Sequence, residues 1–173
     1  MAGNLEFIKS ASGTSVSSLS VTDCFSADYD VYFVSITKAD LTSQSWGIGF
    51  RYLDTGGSEV SSAIYDEATL VLLSYAAFSE DKLTNATKQT RFSFFTTATS
   101  VGTGVGFYVF NPYDSSSYTF SQGQSSAVGN SGLVGTKVIG VCKQSATHTG
   151  LKFLPDAGTY DNITVNVYGL ASN

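Results

Sequence analysis

The chain has 173 residues, 42% of them hydrophobic, 13% aromatic and 13% charged, with a net charge of −5. That length reads as one compact domain over residues 1–173, and the aromatic content argues against disorder. The acidic balance argues against nucleic acid, whose phosphates need a basic face, and against an anionic membrane surface.

Taken in chain order, the dominant period is two, the signature of strands that bury one face. The opening Met1-Ala2-Gly3-Asn4-Leu5-Glu6 lacks the basic and apolar segments of a secretory signal. No apolar run approaches the ~20 residues of a membrane span. Leu5 to Lys9 is a short strand candidate, and the Ser/Thr-rich stretch after it makes residues 1–20 either an N-terminal arm or an edge strand. Val16 to Val21 is a further candidate. Val31 to Ile36 is apolar on both faces and predicts a strand buried on both sides, or one whose second face is covered by a neighbouring subunit. Trp46, Ile48, Phe50 and Tyr52 alternate with Gly47, Gly49, Arg51 and Leu53.

Ser61 to Asn85 is ambiguous. Asp66-Glu67-Ala68 and Glu80-Asp81-Lys82-Leu83 are helix-compatible, so a long excursion with a helical turn and one short strand, Leu70 to Leu73, is expected. Phe92 and Phe94 alternate with Arg91, Ser93 and Phe95. Phe107 to Phe110 and Lys137 to Lys143 repeat the two-sided apolar pattern of Val31 to Ile36. Tyr118 to Gln122, Gly150 to Leu154 and the alternating Ile163, Val165 and Val167 complete nine or ten strands. The clusters at Asp54-Thr55-Gly56-Gly57, Asn111-Pro112-Tyr113-Asp114, Gly129-Asn130-Ser131-Gly132 and Pro155-Asp156-Ala157-Gly158 are turns. The chain therefore reads as all-β: an antiparallel β-sandwich of jelly-roll type, with an Ig-like strand order left open.

Motifs that carry chemistry are sparse. Cys24 and Cys142 read as two buried free thiols of a chain folded in a reducing cytosol, with a single bridge as the alternative in an oxidising one. The Asn-x-Thr sequons at Asn85 and Asn162 read as chance matches. The lone His148 reads as a surface residue in a turn or at a strand start, too solitary for a metal site. A Ser-His-Asp triad would need it, yet Gly-x-Ser-x-Gly is absent. Ser35-Ile36-Thr37-Lys38 matches Ser-x-x-Lys at a strand end, where that motif does not work. Gly102-Thr103-Gly104-Val105-Gly106 precedes a strand rather than a helix, so it reads as a hairpin entry and not a phosphate loop. Asp23, Asp28 and Asp30 cluster, and Asp54, Asp66, Glu67, Asp156 and Asp161 lie elsewhere. Their spacing defines no glycosidase pair, and turn aspartates bond their own backbone. No enzyme activity and no cofactor are expected; loop Asp and Asn oxygens leave Ca²⁺ as the one ion to consider. The ten tyrosines suit core, subunit contact or a glycan-stacking face, and Tyr113 and Tyr118 bracket Asp114-Ser115-Ser116-Ser117.

Three segments resemble a known group: Asn4-Leu5-Glu6-Phe7-Ile8-Lys9-Ser10; Val109-Phe110-Asn111-Pro112-Tyr113-Asp114-Ser115-Ser116-Ser117-Tyr118-Thr119-Phe120; and Gly158-Thr159-Tyr160-Asp161-Asn162-Ile163-Thr164-Val165-Asn166-Val167-Tyr168-Gly169-Leu170. They resemble small jelly-roll virion structural proteins of tailed bacteriophages of aquatic bacteria, cyanophages among them. The resemblance implies a virion component assembled in the host cytoplasm, a homotrimeric capsid decoration or cement protein whose partners are sister copies, the major capsid protein or other virion proteins. The alternative is a tail-fibre, spike or baseplate module that binds host-surface glycan. Trp46, Tyr113, Tyr118, Leu5 and Phe7 are the candidate interface or glycan contacts, and no catalytic residue transfers.

Overall fold

The computed structural model describes residues 4–43, 47–92, 103–129 and 131–171. Eleven strands lie among them: β1 Leu5–Val16, β2 Leu19–Val21, β3 Val31–Leu41, β4 Ile48–Leu53, β5 Tyr65–Leu73, β6 Ser79–Ala86, β7 Thr103–Phe110, β8 Thr119–Gly129, β9 Gly132–Cys142, β10 Gly150–Pro155 and β11 Tyr160–Leu170. They form an eight-stranded sheet, β1-β11-β3-β7-β8-β9-β5-β6, facing a three-stranded one, β2-β10-β4. All strand pairs are antiparallel. The fold is an all-β antiparallel sandwich of jelly-roll type.

The wrap is visible in the order. The chain steps between sheets from β1 to β4, and its last strands, β10 and β11, slot between the first ones. Gln89 extends the small sheet by one residue pair, exchanging both backbone hydrogen bonds with Phe50 at 2.8 and 3.0 Å. Two hairpins, β5–β6 and β8–β9, widen the large sheet beyond β7.

The core fills the space between the sheets. Tyr32, Val34 and Ile36 of β3, Val105, Phe107 and Val109 of β7, and Ile163, Val165 and Val167 of β11 point inward and are buried. Phe50 of β4 stacks on Phe107 at 5.0 Å, and Phe92 meets both rings edge-on at 4.9 Å. Gly123 makes this approach feasible: a Cβ there would sit 2.4 Å from Phe107 Cβ and 2.7 Å from the Gly106 carbonyl. The predicted turns fall where expected, with Gly57, Asn111 and Gly158 at positive φ of 77°, 56° and 72°.

Several expectations need correction. Ser61 to Asn85 holds no helix; it forms two strands, β5 and β6, because Tyr65, Glu67, Thr69 and Val71 alternate inward while the charges of β6 lie on an open edge. Residues 5–16 are an edge strand paired along β11, not an arm, and Val16 to Val21 splits between the two sheets. Of the two expectations for Val31 to Ile36, Phe107 to Phe110 and Lys137 to Lys143, burial on both sides is overturned: within the chain each buries one face. Gly104 and Gly106 lie inside β7 rather than in a hairpin entry, and the Phe33 ring lies over Gly106, where a Cβ would meet it at 3.2 Å. The strand expected around Phe94 and the residue Gly102 lie outside the described residues.

Candidate functional site

The outer face of the large sheet concentrates what the core does not use. Strand register sets side chains opposite one another, and one row crosses all eight strands. Phe7 opposes Tyr168, which opposes Phe33, which opposes Tyr108. The row continues through Gln122, Ile139, Ala68 and Lys82. Its first half is an aromatic ladder, with ring centroids 5.7 Å apart for Phe7–Tyr168, 6.2 Å for Tyr168–Phe33 and 5.2 Å for Phe33–Tyr108. Phe7 is 61% exposed and Tyr108 38%. Leu5, Phe120, Val128, Leu133 and Ile139 are also exposed, all on this same face.

The second half of the row, with the row beside it, forms a groove of about 930 Å³. The neighbouring row runs Gly106, Gln124, Lys137, Leu70, Glu80. Tyr108 bounds the groove on β7, and Glu80, Asp81 and Lys82 bound it on β6. Four inter-strand steps separate those walls, about 19 Å at the usual spacing of ~4.8 Å. Asp81 is held by Arg91 at 2.8 Å. Lys137 stands between Gln124 and Leu70 in register, with no carboxylate opposite it.

A second feature is internal. His148 is 0% exposed, so the expectation of a surface histidine is wrong. The β9–β10 loop folds over the end of the sandwich: the His148 amide donates to the Pro112 carbonyl at 2.7 Å and the Thr149 amide to that of Leu53 at 2.9 Å. The ring stacks on Tyr52 at 4.8 Å, and Nδ1 hydrogen-bonds with the Thr119 hydroxyl at 2.9 Å. Burial pushes its pKa down to about 4, slightly opposed by Asp54. Nε2 has no partner. The imidazole is therefore neutral at pH 7 and serves as packing rather than as an accessible base.

Both cysteines are free and buried. Burial pushes the Cys24 thiol up to about 12 and that of Cys142 to about 11, so neither is a nucleophile at neutral pH. Glu67 is buried as well; desolvation raises its pKa against the hydrogen bonds it accepts from the Thr90 amide and hydroxyl.

The predicted contact residues are dispersed. Leu5 and Phe7 lie on the outer face, on edge strand β1. Tyr113 and Tyr118 are exposed in the β7–β8 loop, three strands from β1 in sheet order. There Asp114 accepts from the Ser116 amide at 2.8 Å and its hydroxyl at 2.7 Å, which holds the carboxyl below its usual range. Trp46 lies outside the described residues. Asp28 likewise bonds locally, to the Ser26 hydroxyl at 2.9 Å. Among the described residues no three His, Cys, Asp or Glu side chains come together to hold a metal ion. Sequence reading missed Tyr108, Gln122, Gln124 and Lys137 as surface partners, because only cross-strand register unites them.

No family model matches this chain, and no curated protein does. Among solved structures, it is similar to the crystal structure of SCLam, a non-specific endo-beta-1,3(4)-glucanase from family GH16, at 10% identity and a TM-score of 0.24. The match covers 86% of this chain and 62% of that one, so the chain spans less than two-thirds of the glucanase. At that level the likeness carries no argument about activity.

Proposed function

We propose that this protein is a non-enzymatic virion module of a tailed bacteriophage, a capsid decoration or cement protein that assembles as a homotrimer. The carrying observation is the aromatic ladder Phe7–Tyr168–Phe33–Tyr108 on the outer face of the large sheet. An outward-facing apolar row, exposed at Phe7 and Tyr108 and half-buried between them, supports an association surface. Aromatic rings supply large contact area at interfaces with little rotamer entropy to lose. The low charge of the chain, 13%, suits repeated contact between identical copies or with a symmetric shell. The sequence resemblance to phage jelly-roll proteins points the same way. In this reading the mechanism is mechanical. Each copy buries shell surface at the junction of capsid subunits and adds interface energy that opposes opening of the filled particle.

The test is stoichiometry. Purified virions should contain the protein in hundreds of copies, and the recombinant chain should run at three times its 18.3 kDa mass. A handful of copies per particle together with a monomeric recombinant chain would remove the proposal.

A further inference from the structure

We infer that the groove across β7, β8, β9, β5 and β6 is a binding site for an acidic oligosaccharide. This goes beyond the assembly role, which uses the ladder on β1, β11, β3 and β7; the ladder and the groove share Tyr108, whose ring ends the one and walls the other. The argument rests on matching chemistry. A pyranose ring presents a C–H face, an edge of hydroxyls and, in an acidic sugar, a carboxylate. Tyr108 stands at the β7 wall with its ring partly exposed, a stacking surface for the C–H face. Gln122 and Gln124, both exposed and two residues apart on β8, present carboxamides along the floor. Each carboxamide both donates and accepts, as a row of hydroxyls requires. Ile139, 61% exposed between Gln122 and Ala68 in register, and Leu70 beside Lys137 add an apolar strip to the floor, a second surface for C–H faces.

Charge selects the class. Lys137 rises from the middle of the floor and Lys82 from the far wall, and among the described residues neither has an ion-pair partner. Of the two acids that line the groove, Asp81 is already neutralised by Arg91, which leaves Glu80 alone against two lysines. The groove thus carries net positive charge on a chain whose net charge is −5. A neutral glycan would leave Lys137 without a counterpart; a uronate carboxylate over the floor would pair with it.

The experiment uses the full chain in whatever oligomeric state it adopts. Oligogalacturonates and alginate oligomers, with cello-oligosaccharides as neutral controls, are titrated by calorimetry and by amide chemical-shift mapping. The expected result is saturable binding of an acidic oligomer that weakens with salt, with shifts on β8, β9 and β5. Lys137→Gln should weaken acidic binding by about tenfold, the value of one hydrogen bond to a charged group. Gln122→Ala should weaken it as well, and both variants should keep the wild-type circular dichroism and unfolding midpoint because both sites are exposed. No binding by any acidic oligomer at millimolar concentration would overturn the inference. So would equal affinity for neutral oligomers, or acidic binding unchanged in Lys137→Gln. The oligomeric mass is read separately, so failure here leaves the assembly proposal standing, and the reverse.

Discussion

The two halves of the large sheet differ in how much polarity they bury. On β11, β3 and β7 the inner face is aliphatic and aromatic, while the outer face carries a row of rings, half-buried at Tyr168 and Phe33 and exposed at Tyr108. On β8, β9 and β5 the buried inner side chains include Thr119, Ser121, Thr136, Thr69 and Glu67, and the outer face holds the groove, where Gln122, Gln124 and Lys137 stand beside Leu70 and Ile139. The first half closes a core that the small sheet covers with Phe50, Leu151 and Phe153. In the second half, several buried polar groups pair with one another. Ser121 donates to Gln89 at 2.7 Å, the Ser125 and Thr136 hydroxyls pair at 2.7 Å, and Thr119 meets His148. Such pairs add specificity more than net free energy, since each replaces hydrogen bonds to water.

Breaking the apolar half should have the largest effect. Phe107→Ala removes a ring that touches both Phe50 and Phe92 and leaves a cavity that Gly123 cannot fill. The expected loss is about 3–5 kcal/mol in urea unfolding. A smaller effect belongs to the polar half and has a pH signature. His148 has a folded pKa near 4 against about 6.5 when unfolded. The unfolded chain therefore binds a proton first as pH falls. The stability tied to the neutral ring is complete above pH 6.5 and is lost progressively down to about pH 4, about 3 kcal/mol in all. Urea midpoints measured between pH 7 and 4 should fall in the wild type. In His148→Phe the slope over that window should flatten, whatever happens to the midpoint at pH 7. An unchanged slope would show that the histidine is solvated.

How much of this was legible in the chain follows the same division. The alternation at Ile48–Leu53 and Ile163–Val167 and the Gly-bearing turns announce strands because local sequence decides them. The β5–β6 hairpin was hidden because Asp66, Glu67 and Glu80 to Lys82 fit a helix face as well as an open sheet edge. Only pairing of β5 with β9 chooses between them. His148 was read as exposed because its burial depends on a loop closing over residues from β4 and β8, more than 25 positions away. Phe107 to Phe110 looked apolar throughout, and nothing local says that Phe107 faces the core and Tyr108 the surface. The groove is the extreme case: its residues come from five strands and meet only through register.

A milder test sharpens the contrast inside the polar half. The Thr69 hydroxyl is buried with no hydrogen-bond partner among the described residues. Thr69→Val keeps the shape and removes an unpaired polar atom from the interior. The unfolding midpoint should therefore stay level or rise, by about 1 kcal/mol at most. A loss larger than that would mean that the hydroxyl is paired, through water, in solution.

The smallest effect on folding should come from the outer face of the apolar half. Phe7 lies on an edge strand, is mostly exposed and, among the described residues, has one aromatic ring contact, with Tyr168. Phe7→Ser should move the unfolding midpoint of the isolated protomer by no more than about 0.5 kcal/mol, as for other surface sites. If the ladder is where copies meet, the same substitution should weaken the oligomer, seen as a protein-concentration-dependent drop in mass by light scattering. Phe107→Ala then lowers stability through the core, whereas Phe7→Ser separates copies that remain folded. A Phe7→Ser protein that loses stability as a monomer would instead make the ring part of the fold, and the face would lose its claim to be an interface.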